Sequence, residues 1–209
     1  MSDNTVFMKN YRPGDGKLKE PNRAEILRYA GYSGTTSDDE TVKSLIEEVI
    51  SEASFAVKGR VCYEVFDISW QNDIPSLPFE CESKDLAKCL KGSSRVVMFA
   101  ATIGLDIDRL IKKYERFTPS KALLLQAFGA ERVEAVCDAF CREYSSETGG
   151  GAVSLSPRFS PGYGDLPLST QKDFFEILGI NKNLAVTLSE SLLMTPTKSV
   201  TAIFGIKNY

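Results

Sequence analysis

Residues 38–57 set Val42, Leu45, Ile46, Val49, Ile50 and Ala53 at the i, i+3, i+4, i+7 spacing of one helical face. This predicts an amphipathic helix, with Asp38, Asp39 and Glu40 at its electropositive N-terminal end. Before it, Asn22 predicts the cap of a short helix running through Tyr29, with Gly31 as its stop. The period changes at Val61–Trp70, whose β-branched and aromatic residues on alternating faces predict a strand. A proline-bearing turn follows, then a short helix from Ser83 to about Leu90 that Gly92 ends. Arg95–Thr102 is apolar almost throughout, which predicts a central strand buried on both faces. Gly104 breaks it, and a helix to about Arg116 follows. Pro119 opens a long helix to about Tyr144, with Val133, Val136, Cys137, Phe140, Cys141 and Tyr144 as its stripe. Ser169 is expected to cap a helix to about Leu178, and the tail reads as strands over Ala185–Leu188, Ser191–Met194 and Ser199–Ile206.

Strands fall in the middle and at the end, without strict alternation with helices. That favours an α+β fold with a mixed or antiparallel sheet over a doubly wound one. A chain of 209 residues suits one domain. Residues 1–21, polar and rich in Gly, Pro and Lys, are expected to be an extended or poorly ordered arm before a domain at 22–209. The glycines of 149–151 read as a linker, because a phosphate cradle would open a helix and these follow one.

Charge narrows the partners. A net charge of −3 leaves no basic excess to neutralise phosphates, so nucleic acid is not the expected partner. No apolar run approaches the ~20 residues that span a bilayer, and the first residues are too polar for a signal peptide. The odd count of five cysteines fits reduced thiols, and a cytoplasmic location is expected. Cys137 and Cys141 share a helical face; buried small residues are the preferred reading over a metal site. The chain has no histidine, which excludes Ser-His-Asp and Cys-His chemistry and every histidine metal ligand.

The densest chemistry lies in Arg158–Thr170, where a guanidinium, a phenol, two glycines and two prolines precede a helix start. Prolines fix φ and glycines let a ligand approach the backbone. The Arg offers a planar fork to a carboxylate. The segment reads as a rigid recognition loop for a small molecule carrying an anionic group. Arg158 has two readings, a surface ion pair worth roughly 0–1 kcal/mol or a ligand contact, and its place at the head of the loop favours the second. Tyr163 is either a packed aromatic or, between Gly162 and Gly164, a ring projecting into a pocket. Glu134 is either a solvated helix edge or a ligand carboxylate, one turn after Gly129 and Ala130, whose small size would let a ligand approach the helix.

Arg158, Pro161, Gly162, Tyr163, Pro167, Thr170 and Lys172 resemble the S-adenosylmethionine (AdoMet) loop of the cobalamin-dependent methionine synthase activation domain. The resemblance runs over roughly residues 95 to 206, through Val97–Asp108 upstream and Glu190–Pro196 and Ser199–Ala202 downstream. The Pro-Gly-Tyr-Gly-Asp-Leu-Pro-Leu variant looks closest to short, free-standing members. The resemblance implies a single α+β domain with a curved, mostly antiparallel mixed sheet and packed helices. It implies AdoMet contacts from Arg158, Ser160, Gly162, Tyr163 and Glu134. It puts Phe204 where the family often has a Tyr, so Phe204 would contribute shape alone. An N-terminal Asp contact does not align, leaving Asp67 and Asp73 as candidates. The family's task is reductive methylation of cob(II)alamin, in which the domain positions AdoMet and is not a complete enzyme alone. Without histidine this chain lacks the Asp-x-His-x-x-Gly cobalt-ligating motif, so cobalamin is expected on a partner chain, with electrons from a reductase or flavodoxin-type donor. The expected client is a methionine synthase; the alternatives are another corrinoid methyltransferase, or a regulatory role with AdoMet binding and no methyl transfer.

Overall fold

The computed structural model describes residues 5–32, 39–149 and 153–208. Its centre is a curled five-stranded sheet in the order β1-β2-β5-β9-β6. The strands are β1 (Phe7–Tyr11), β2 (Gly59–Asp67), β5 (Arg95–Thr102), β6 (Val153–Leu155) and β9 (Ser199–Asn208). Every pairing in it is antiparallel. The α+β architecture is as expected, with no parallel pair in this sheet.

Side-chain alternation makes two cores. In β5, Val97, Phe99 and Ala101 face one layer of helices, while Val96, Met98 and Ala100 face the other. Each is 2% exposed or less, as a strand apolar on both faces requires. The first layer is α1 (Arg23–Tyr29), α2 (Glu40–Ala53), α4 (Asp106–Tyr114) and α5 (Pro119–Gly149). The second is α3 (Lys84–Leu90), α6 (Gln171–Ile177) and α7 (Ile180–Leu184). Among the described residues no helix is long and apolar enough to cross a membrane.

The local signals hold where the sequence is strongest. The Asn22 side chain accepts from the Ala24 and Glu25 amides, Asp39 from Thr41, and Ser83 from Leu86. Several expectations need correction. Of the arm expected to be extended or poorly ordered, residues 7–11 are extended but packed: β1 pairs with β2, and Tyr11 is fully buried with its hydroxyl donating to Glu143 at 2.7 Å. Ser169 makes no cap; it lies within a 3₁₀ turn at Leu168–Thr170, and α6 starts after it at Gln171. The strand expected to reach Trp70 ends at Asp67. Trp70–Gln71 is instead β3 of a hairpin with β4 (Ile74–Pro75), turned by Asn72 and Asp73 at φ 52° and 62°. Of the three tail strands expected, the first two shrink to β7 (Thr187–Leu188) and β8 (Met194–Thr195), with α7 before them, and the third is β9, which runs on to Asn208. Of the expected glycine linker, residues 150–152 lie outside the described residues, and Gly149 is the last residue of α5.

Candidate functional site: the Arg158 loop and the acidic face of α5

After β6 the chain stays alongside β9. The Ser156 amide donates to the Gly205 carbonyl at 2.9 Å, and the Ser156 hydroxyl accepts from the Gly205 amide at 2.8 Å. Phe159 and Ile203 then exchange both backbone bonds at 2.8 Å. Successive residues of an extended segment face opposite ways. Phe159 packs on the α3/α6 core, and Arg158 reaches α5 on the other side. There Arg158 Nη2 donates to Glu134 Oε2 at 2.8 Å, and Nη1 lies 2.9 Å from Asp138 Oδ1. Nη1 is buried and makes no hydrogen bond, so its approach to Asp138 is an ion pair without bonding alignment.

The structure thus brings two of the sequence-predicted residues, Arg158 and Glu134, into direct contact and adds Asp138, which sequence reasoning missed. The signal was present, since Asp138 follows Glu134 by four residues and so shares its helical face. Glu134 and Asp138 also line a cavity of about 410 Å³ between α5 and the segment from Lys19 to Tyr29. Glu20, Glu25 and Glu131 line it too, against Lys19 and Arg142. Its second wall is fixed to α5: Arg132 donates to the Lys19 carbonyl at 2.7 Å, and Glu131 accepts from the Asn22 amide at 3.2 Å. Asp67 and Asp73, the acidic candidates from sequence, do not line it. Asp67 ends β2 and Asp73 pairs with Lys91 at 3.4 Å.

Past Arg158 the loop is a compact turn. The Tyr163 amide donates to Ser160 O, the Gly162 amide to Leu166 O, and the Leu166 amide to Tyr163 O, at 2.9–3.0 Å. The Ser160 carbonyl and Gly162 amide therefore serve the turn itself. Tyr163 is 62% exposed, its ring edge-on to Phe159 at 6.4 Å. Gly164 has φ +51°, and a Cβ there would collide with the Asp85 carboxylate, so this position needs glycine on both counts. Asp165 anchors the turn. Its carboxylate accepts from the Ser83 hydroxyl and from the amides of Lys84 (2.8 Å) and Asp85 (3.2 Å), capping α3 from a distant part of the chain. These bonds, the Ser83 hydroxyl first, hold its carboxyl below the ordinary range.

Two expected contributors act differently. Phe204 has no exposed surface; it packs against Phe99, Phe140 and Tyr144 with centroids 5.7–6.1 Å apart and supports the site only from within the core. Gly129 admits a neighbouring side chain: a Cβ on it would lie 2.9 Å from Lys198 Cγ and 3.0 Å from Ile107 Cγ2. Cys137 is fully buried and Cys141 partly, as small buried residues would be; burial pushes both thiols up, Cys141 to about 11.

No protein-family model matches this chain, and no curated protein matches it. Among solved structures the chain is similar to the MetH reactivation domain bound to AdoHcy. The two superpose with a TM-score of 0.69 over 97% of this chain and 78% of that one, at 13% identity. At that identity the likeness establishes a shared fold.

Proposed function

We propose that this chain binds AdoMet at the Arg158 loop and acts in trans to reactivate a cobalamin-dependent methionine synthase. The observation that carries the proposal is the pairing of Arg158 with Glu134 and Asp138, two carboxylates that themselves line an acidic cavity, in a fold shared with a domain bound to AdoHcy. AdoMet carries a carboxylate, an ammonium and a sulfonium. The residues present fit that set. Arg158 Nη1, which makes no aligned hydrogen bond, would donate to the carboxylate on exchanging its ion pair with Asp138 for the ligand. Glu134 and Asp138 line the cavity and offset positive charge. A cavity of about 410 Å³ falls in the roughly 300–1,000 Å³ range of small-molecule sites.

Bound there, AdoMet would supply a methyl group to cobalt on the partner chain, leaving as AdoHcy, once a reductase or flavodoxin-type donor had supplied the one electron that cob(II)alamin needs. The residues of this chain hold and aim the ligand, which is work of positioning with no proton to move. A chain without histidine suits that division of labour.

Calorimetric titration of AdoMet into the wild type and Arg158→Ala tests the pocket. The variant should bind about 2 kcal/mol more weakly, roughly 30-fold, for the loss of a charge-assisted pair. Adding the protein, AdoMet and a reductant to a synthase inactivated as cob(II)alamin should restore turnover. Absence of AdoMet binding both alone and with the synthase present refutes the proposal.

A further inference from the structure

A second cavity, of about 690 Å³, opens between the β3–β4 hairpin and α3. It lies on the α3 side of the sheet, away from the face where Arg158 meets α5, and shares no lining residue with the acidic cavity. Trp70, Ile74, Leu77 and Ala87 give it an apolar wall. The wall is held in place. The Trp70 indole donates to the Ser93 carbonyl at 2.8 Å, and the Asn72–Asp73 turn fixes Ile74 beside it. Ile74 is 61% exposed, an apolar side chain left largely uncovered by the described residues.

The charge around that wall is uneven. Lys84, Lys88 and Lys91 line the cavity from α3 and its end. Lys91 pairs with Asp73 at 3.4 Å, while Lys84 and Lys88 have no ion-pair partner among the described residues. Glu82 is the remaining acidic group of the lining. Lysine stems lie along apolar surface and carry the ammonium to its edge. An apolar hollow of small-molecule size beside two free ammonium groups selects a molecule with an apolar body and an anionic head. We propose that this cavity is a binding site for a small amphipathic anion, an aliphatic or aromatic body bearing one carboxylate or phosphate.

Trp70 is the only tryptophan of the chain, so its emission reports from the cavity wall. The full chain, without AdoMet, is titrated with decanoate and decyl phosphate below their micellar concentrations, against decanol and decyltrimethylammonium. At least one anion should change the Trp70 emission saturably, and which one does so identifies the head group. The double variant Lys84→Glu/Lys88→Glu should weaken that response at least tenfold with an unchanged melting temperature. Ala87→Leu, which narrows the hollow without touching charge, should weaken it as well. Inertness of both anions, or an equal response to decyltrimethylammonium, overturns the proposal. Because AdoMet is absent throughout, the result is independent of the function proposed above.

Discussion

Glu143 shows how one side chain can fasten a segment. Lys9 and Lys17 approach its carboxylate at 3.2 and 2.7 Å, and the buried Tyr11 hydroxyl donates to it at 2.7 Å. Burial alone would raise the Glu143 carboxyl, but the bonds from Lys17, Tyr11 and Lys9 outweigh it and hold it at about 2. A carboxyl depressed in the folded state stabilises fully above its unfolded value near 4.5, and that stability is lost as pH falls toward about 2. Glu143→Gln should therefore cost about 1–2 kcal/mol at pH 7. The gap between wild type and variant should close between about pH 4.5 and 2, as read by denaturant unfolding at each pH. A gap that stays constant across that range would remove Glu143 ionisation as its cause.

At the scale of elements, the Arg158–Thr170 loop and α3 form one unit through Asp165. Asp165→Ala should lower the melting temperature, speed hydrogen exchange at the Lys84 and Asp85 amides, and weaken AdoMet binding. Asp165→Asn, which keeps an acceptor, should fall between. Exchange at those amides unchanged in the alanine variant would dissociate the loop from the helix. What was legible in the sequence at this scale was local. Asn22, Asp39 and Ser83 cap helices whose acceptors and donors lie within three residues, and β5 announces its double burial by its own composition. What was hidden depends on distant partners. Val153–Leu155 is too short to show a period and becomes a strand only because β9 offers an edge. The five residues of α7 follow Gly179 in a left-handed conformation that no periodicity marks. Asp165 reads as a turn residue because the amides it caps are some eighty positions away. The site divides the same way: Arg158 and Glu134 were visible as chemistry, whereas their contact with each other, and the wall from Lys19 to Tyr29, required the fold.

At the scale of the whole molecule, the N-terminal segment completes the sheet. β1 covers the β2 edge from Gly59 to Tyr63, and Tyr11 enters the larger core. Deleting residues 1–11 should expose that edge and open a cavity beside α5. The expected outcome is loss of cooperative thermal unfolding and concentration-dependent association in size-exclusion chromatography, since unpaired edges recruit other chains. A truncated protein that stays monomeric and melts as the full chain does would make β1 an ornament of the sheet. The same segment leads into the wall of the acidic cavity, so an intact N-terminal region is also expected to be needed for AdoMet binding.

Arg158 and Phe159 are neighbours in the chain yet belong to different halves of the protein. One is clamped by carboxylates on α5; the other is pinned to β9 and rests on the core beneath α3 and α6. Their shared backbone works as the fulcrum of a lever. A substitution that loosens the layer under Phe159 is expected to tilt the guanidinium on the far side, without altering any group that would meet a ligand. If AdoMet binds as proposed, its affinity will answer to packing on the opposite surface of the sheet, and second-site changes that restore a damaged pocket are to be sought there, around Ile203 and Phe174.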